Sequence, residues 1–189
     1  MGIRPTLERF IYGSGIVYLL VRDLAIVVVV GVLLHFFVFS IYPVQGESMK
    51  PTMSPYNLVF INKIAKANNV KRGQIVILKF PADKDSQLLV KRVIGLQGEK
   101  ITITKTEVKI NDKVLTEGYL TEPVGLDQIS DFVTEKTLAY NEYFVMGDNR
   151  LNSSDSRIFG AVQKSDILGR AELLLWPFDK FGFLPIPNY

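Results

Sequence analysis

The uncharged run from Leu24 to Tyr42 constrains this 189-residue chain more than any other feature of its sequence. Nineteen residues pass without a charge. At about 1.5 Å per residue in a helix, this length nearly matches the roughly 30 Å of a bilayer's hydrocarbon core. A secretory signal peptide is the alternative, but it would need a shorter apolar run and a cleavage site of small residues. Because bulky residues such as Phe39 end the run, we predict a transmembrane helix at residues 24–42.

The residues on either side of this span predict its topology. Arg4, Arg9 and Arg22 precede it, which favours a cytoplasmic N-terminus because basic flanks tend to stay inside. Residues 1–23 are then a cytoplasmic or interfacial segment, whose short apolar part lies on the membrane or extends the helix. Residues 43–189 form an extracytoplasmic domain. Several lysines also follow the span, so charge alone leaves the opposite orientation open.

After Pro43 the pattern changes to short runs of β-branched and aromatic residues separated by turn residues. This pattern predicts a mainly β, antiparallel domain after the single helix. The strands are expected within residues 57–64, 73–80, 88–96, 100–111, 114–120, 142–147 and 171–178. Asn111-Asp112 between two apolar runs predicts a hairpin. The polar residues 121–141 are expected to form a surface loop.

Composition narrows the classes of site and partner. The chain has no cysteine, so neither a disulfide framework nor a thiolate metal site is predicted. The formal charge is +3 and no run rich in lysine and arginine occurs, which argues against a nucleic-acid partner. A slightly basic face beside anionic lipid is the simpler interpretation.

Ser48, in the stretch Val44 to Met53, raises a chemical question because the chain has a single histidine. That residue, His35, lies inside the apolar run, so a Ser-His-Asp triad is excluded. The sequence G-E-S-M-K also lacks the second glycine of an α/β-hydrolase elbow. A lone serine is most often a turn or core residue. If Ser48 is a nucleophile, its base must be a carboxylate or a lysine.

Lys91 is the candidate lysine, since it interrupts the apolar run Leu88–Gly95. An amine with a pKa of about 10.4 acts as a base at neutral pH only if burial or a nearby cation lowers that pKa, by up to roughly 3 to 5 units. In a strand, Lys91 and Arg92 would point to opposite faces. The alternative is an exposed basic pair on an edge strand, because lysine is rarely buried.

The stretch from Gly147 to Arg157 is dense in polar groups and directly follows an apolar strand. As a calcium loop of the EF-hand type it fails, because Arg150 stands where an oxygen ligand is needed. A solvent-exposed loop remains possible. As a support for a buried amine it fits better, because its hydroxyl and charged groups can fix a lysine by hydrogen bonds.

In this order, after one membrane span, these stretches resemble the type I signal peptidases, in the short form typical of Gram-positive bacteria. The resemblance runs from the anchor to about Phe183. It rests on five segments: residues 46–52, the nucleophile box; 72–76, the next strand; 91–98, the lysine box; 147–157, the supporting loop; and Trp176-Pro177-Phe178. Any one box is weak evidence, but the ordered set is highly specific.

The resemblance implies a Ser-Lys dyad on an antiparallel β fold with a membrane anchor. Ser48 would be the acylated nucleophile and Lys91 the general base. Ser153 would hydrogen-bond the Lys91 amine, while Asp155 and Arg157 would hold the loop by an ion pair. The implied substrates are exported preproteins with small residues at positions −1 and −3. No metal or organic cofactor is implied.

The oxyanion region departs from the family pattern, because some members carry a serine where this chain has Gly46. Backbone N–H groups, including that of Ser48, would then stabilise more of the oxyanion. If the substrate adds as an extended strand, Val44 and Val90 are expected to line its shallow apolar pockets. The alternative function is a catalytically silent, membrane-tethered β module that binds exported chains, against which the matching boxes argue.

Overall fold

The computed structural model describes residues 4–64, 70–80, 87–104, 106–120, 134–187 and 189, with side chains from residue 15 onward. It divides into a helical unit, Met1–Phe39, and a β-rich unit, Ser40–Tyr189. The predicted surface loop at residues 121–141 lies outside the described residues as far as residue 133.

The helical unit consists of one long helix, α1, Arg4–Phe37. Its part Gly15–Phe37 is long and apolar enough to cross a membrane, and the side chains there are exposed. This is consistent with a membrane anchor. The helix differs in extent from the predicted span of 24–42, because it includes Arg22 and Asp23 and ends at Phe37. These two charges pair with each other at 2.8 Å and do not end the helix.

The β-rich unit confirms the predicted fold class, a mainly β, antiparallel domain. Within the described residues its strands are β1 Phe39–Pro43, β2 Leu58–Asn62, β3 Ile75–Lys79, β4 Leu88–Gly95, β5 Lys100–Ile103, β6 Val108–Ile110, β7 Lys113–Val114, β8 Thr134–Thr137, β9 Glu142–Met146, β10 Val162–Gln163, β11 Ile167–Trp176 and β12 Gly182–Phe183. One short helix, α2, covers Ser156–Phe159. The larger sheet has the order β1-β2-β11-β3-β4-β9-β10, with β12 beside β11. The second sheet has the order β7-β6-β5-β8.

The predicted hairpin is confirmed in the second sheet. Strands β6 and β7 are antiparallel, and Ile110 opposite Lys113 closes the ladder. The two residues between them, Asn111 and Asp112, have φ values of 49° and 65°. A two-residue hairpin turn needs positive φ at both positions, and Asn and Asp accept that conformation more readily than most residues.

Two sequence predictions in the second sheet are wrong in part. Residues 114–120 were expected as one strand, but pairing stops at Val114. Residues 134–137 were expected in a loop, but they form β8 against β5. This strand is polar, and a cross-strand ion pair between Lys100 and Glu135 at 2.9 Å supports it. The next residue, Leu138, is fully buried and anchors the end of the strand.

Strand β4 is central to the larger sheet, between β3 and β9. In one hydrophobic cluster, residues before and after Ser48 pack against side chains of the strands β2, β3, β4 and β11. Its buried members are Val44, Met49, Met53, Val59, Ile61, Ile75, Ile77, Val90, Ala171, Leu174 and Leu184. The packing therefore ties the nucleophile box to the sheet that carries the lysine box.

Candidate active site

The segment around Ser48 is held by its own turns and by buried side chains on both sides. Met49 and Met53 are each only 1% exposed and anchor the segment in the hydrophobic cluster. The Met53 N–H donates to the carbonyl of Met49 at 2.9 Å. Gly46 has a φ of 73°, the left-handed region that glycine adopts without strain. Ser48 itself is half-buried, so its hydroxyl remains within reach of a substrate.

Lys91 of β4 reaches the Ser48 hydroxyl. Its Nζ lies 2.8 Å from Ser48 Oγ, and the lysine is 2% exposed. The alternative of an exposed basic pair on an edge strand is wrong, because β4 lies inside the sheet and Arg92 is fully buried. In the neutral form the Lys91 amine has a lone pair that can accept the hydroxyl proton. The distance is therefore suitable for proton transfer between the two groups.

Burial lowers the pKa of Lys91 from 10.5 to about 8, because the surroundings solvate an ammonium poorly. Arg157 lowers this pKa further, while Asp155 and Asp148 raise it. The carboxylates oppose the burial but do not cancel it. A substantial neutral fraction of Lys91 is therefore available at mildly alkaline pH.

Asp155 and Arg157 form the ion pair that the resemblance implies. Arg157 Nε donates to Asp155 Oδ1 at 2.8 Å, and a second guanidinium nitrogen donates to Oδ2 at 2.8 Å. Asp155 also caps α2, since its Oδ1 accepts the Arg157 N–H, and its Oδ2 accepts the Gly147 N–H at 2.9 Å. Asp155 is fully buried. This carboxylate therefore joins both ends of the supporting loop.

The predicted hydrogen bond from Ser153 to Lys91 is absent. Ser153 Oγ is buried and has no hydrogen-bond partner among the described residues. Its side chain instead lies against the Cα of Gly147. The carbonyl of Ser153 accepts a bond of 3.5 Å from Arg157, so the residue is fixed through its backbone.

Gly147 and Asn149 are two residues at the site that sequence reasoning did not single out. A Cβ at Gly147 would meet Ser153 and the carbonyl oxygen of Ser48 at less than contact distance. The Asn149 N–H donates to that same carbonyl at 2.9 Å. The turn after β9 therefore touches the nucleophile directly. Only the unexplained glycine after an apolar strand could have indicated this from the sequence.

Arg92 connects the lysine box with the supporting loop through partners different from those of Lys91. Its guanidinium donates to both oxygens of Asp148, at 2.8 and 2.7 Å, and both side chains are fully buried. Asp148 Oδ2 also accepts a bond of 2.5 Å from the Thr52 hydroxyl, four residues beyond Ser48. This pair thus joins three of the recognised segments. Both carboxylate oxygens of Asp148 are therefore engaged by Arg92, and one of them also by Thr52.

The two candidate pocket residues are both buried in the hydrophobic cluster. Val44 is 2% and Val90 is 7% exposed. Val90 directly precedes Lys91, and Val44 lies four residues before Ser48. Both side chains lie in the same cluster as Met49 and Met53, and Val90 is the more exposed of the two.

Comparisons with known proteins find a matching family and several related sequences. A family model described as "Signal peptidase, peptidase S26" matches residues 18–176. The chain is 38% identical over 168 residues to a "Signal peptidase I P" of Bacillus subtilis subsp. natto, covering 85% of this chain and 89% of the relative. It is 36% identical over 167 residues to "Signal peptidase I S" of Bacillus subtilis, covering 84% and 89%. A crystal structure of a signal peptidase I from Enterococcus faecalis is 29% identical, with a TM-score of 0.46, and covers 55% of this chain and 97% of its own.

Proposed function

The chain belongs to the signal peptidase family, peptidase S26, and is a serine endopeptidase; on that premise we propose that it cleaves signal peptides from exported preproteins with a Ser48-Lys91 dyad. In this proposal cleavage follows small residues at positions −1 and −3. The observation that supports it most is the 2.8 Å approach of a buried lysine amine to the hydroxyl of Ser48.

The proposed reaction begins with proton transfer. Neutral Lys91 takes the Ser48 proton as Oγ attacks the scissile carbonyl, and the resulting ammonium then protonates the leaving amine. The products of this step are an acyl-enzyme on Ser48 and the free N-terminus of the mature protein. A water molecule, deprotonated by Lys91, next attacks the acyl group. As the bond to Ser48 Oγ breaks, the Lys91 ammonium returns the proton to Oγ, and the signal peptide leaves with a carboxyl terminus. Each proton is thereby returned, so the cycle needs no further reactant.

The developing oxyanion requires hydrogen-bond donors. The Ser48 N–H is our candidate, supported by the fixed backbone of its segment. Gly46 carries no side-chain hydroxyl. Backbone donors would therefore stabilise a larger share of the negative charge than in family members with a serine at this position. The left-handed φ of Gly46 turns the chain just before these donors.

The direct test uses the full chain in detergent with a purified preprotein. We expect one cut between signal peptide and mature region, located by mass spectrometry, with no cut by the Ser48→Ala variant. A folded wild-type chain that binds the preprotein without cutting it would favour the silent binding module instead.

The rate of cleavage should depend on the ionisation of Lys91. Because its pKa is lowered to about 8 and the neutral amine is the active form, kcat should rise with pH through about 8 and level off above it. A pH profile of single-turnover cleavage measures this directly. A rate that falls as the pH rises through this range would contradict a lysine base.

Substrate selection is proposed to depend on Val90. A substrate that adds as an extended strand would direct alternate side chains into shallow apolar pockets, and Val90 is our candidate for lining one of them. Enlarging this residue by Val90→Phe should narrow the range of side chains tolerated at −1 or −3. Cleavage rates on a series of −1 and −3 variants measure the effect. An unchanged profile in a folded variant would remove Val90 from the pocket.

The proposed location is the cell membrane, with α1 as a single span, the N-terminus in the cytoplasm and the β-rich unit outside. The basic residues before the apolar stretch support this orientation. Protease added to intact spheroplasts should therefore degrade the β-rich unit, detected with an antibody against it. Full protection until the membrane is opened would reverse the orientation.

A further inference from the structure

Glu117 and Arg150 form a buried ion pair between a segment outside every recognised motif and the supporting loop. The guanidinium of Arg150 donates to both carboxylate oxygens of Glu117, at 2.7 and 2.5 Å. Both side chains are only 5% exposed. Residues 115–120 belong to no strand. Leu115 and Leu120 pack against the core of the second sheet, and the ion pair joins the segment to the supporting loop.

Tyr119 completes the unit from the same segment. Its hydroxyl donates to Glu117 at 2.6 Å and accepts a bond of 3.0 Å from Arg150. Burial raises the pKa of Tyr119, so this hydroxyl keeps its proton and remains a donor. The ring of Tyr119 also faces the guanidinium of Arg92, whose central carbon lies 4.2 Å from the ring centroid. One tyrosine therefore contacts the arginines of both the lysine box and the supporting loop.

Arg150 transmits this contact to the turn that touches the nucleophile. Its Nε donates to the carbonyl of Gly147 at 3.0 Å. Two residues beyond Gly147, the N–H of Asn149 donates to the carbonyl of Ser48. The chain of contacts thus runs from Glu117 through Arg150 and the 147–149 turn to Ser48.

Net stability alone does not account for such a pair. The cost of removing two charges from water offsets much of their attraction, and apolar replacement of a buried pair is often neutral or stabilising. A bidentate pair does fix geometry, because both hydrogen bonds form in only one arrangement. The position of this pair, one residue from the turn that holds Ser48, is where fixed geometry matters for a reaction.

We propose that Glu117 and Tyr119 are positioning residues that hold the 147–149 turn against the dyad, so that Ser48 and Lys91 keep their contact and Lys91 stays shielded from water. This role rests on the proposed function of the dyad. The groups that face Lys91 electrostatically are Asp148, Asp155 and Arg157, and all of them belong to the loop that this turn begins. If the turn moves outward, water reaches Lys91 and its pKa rises toward the ordinary value.

The test uses the full chain in detergent and the double variant Glu117→Met/Arg150→Met. This variant removes one negative and one positive charge, so the net charge near Lys91 stays the same, and it leaves no buried charge without a partner. Glu117→Gln, which leaves Arg150 unpaired, and Tyr119→Phe are the single variants. The matched control is Glu107→Gln, which breaks the more exposed pair with Lys109 of β6.

We expect the double variant to fold, to lose kcat by on the order of 100-fold at neutral pH with little change in KM, and to have its rate midpoint shifted to higher pH. A misplaced or hydrated dyad produces this combination. A smaller folded fraction would instead lower the rate at every pH without moving the midpoint of the pH profile. Tyr119→Phe should show a smaller shift in the same direction. Glu107→Gln should match the wild type.

A second readout does not depend on cleavage. The pKa of Lys91, followed by NMR of ¹³C-labelled lysine and assigned with Lys91→Arg, should rise in the double variant. A folded double variant with the wild-type pKa of Lys91 overturns the positioning role, and so does a loss of rate with an unmoved midpoint. If the wild type itself cleaves no preprotein, the proposed function fails, while the NMR titration still decides whether this unit shields Lys91.

Discussion

Replacement of Lys91 by alanine is expected to abolish cleavage while the β-rich unit stays folded. The side chain removed is the base proposed for both chemical steps, and a positioned general acid–base contributes up to about 10⁴-fold to a rate. We expect kcat to fall by that factor, on the order of 10⁴-fold. The measurement is single-turnover cleavage of a preprotein, with circular dichroism and thermal unfolding to establish the fold. Removing a buried cation also removes the free-energy cost of its desolvation. The free energy of unfolding should therefore fall by less than the cavity left by the side chain would suggest.

The companion variants sharpen this test. Ser48→Ala should have the same effect, and the double variant should be no worse than either single one, because the two residues act as a unit. Lys79→Ala is the matched control, since Lys79 is an exposed lysine on the neighbouring strand β3. Arg92 cannot substitute for Lys91, because a guanidinium stays charged and this one is bonded to Asp148. Near-normal turnover by a folded Lys91→Ala would mean that the base is a carboxylate and that the dyad is wrong.

The chemistry of the dyad could be predicted from the sequence, but the burial of Lys91 could not. Excluding histidine left a lysine or a carboxylate as the base, and Lys91 stood out because it interrupts an apolar strand. Whether that strand was central or at an edge depended on pairing with β9, which lies about fifty residues later in the chain. No local pattern encodes such a pairing, so the burial of Lys91 and its lowered pKa became visible only in the folded chain.

Elements at the limits of the local patterns were predicted least well. Strand β8 is polar throughout, so it lacks the alternation of apolar and polar residues that indicates a half-buried strand. It is stabilised by pairing with β5. The helix α1 runs through Arg22 and Asp23, whose side chains pair with each other, so these charges do not mark its start as the sequence pattern predicts. Glu117 and Tyr119 were expected in a strand, but their partner Arg150 lies 33 and 31 residues away. For β8, and for Glu117 and Tyr119, contacts distant in sequence overrode the local preference.

Replacement of Gly147 by alanine is the second change from which we expect a large loss of activity. The added Cβ would meet the carbonyl oxygen of Ser48 and the side chain of Ser153 at less than contact distance. Gly147 does not have a positive φ, so alanine suits its backbone and the effect must come from this contact. The Ser48 carbonyl belongs to the main chain and can yield only if the nucleophile segment moves. A displacement of about 1 Å can cost on the order of 100-fold in rate.

Two matched variants separate this mechanism from a general loss of stability. Gly182→Ala places the same methyl group on β12, where nothing lies within 4 Å, and it should leave kcat unchanged. In Gly147→Ala/Ser153→Gly the contact with the Ser153 side chain is relieved, but the contact with the Ser48 carbonyl remains. We therefore expect kcat of this double variant, measured by single-turnover cleavage, to stay close to that of Gly147→Ala. Recovery to the wild-type rate would mean that Ser153, and not the backbone of the nucleophile, is what position 147 must accommodate.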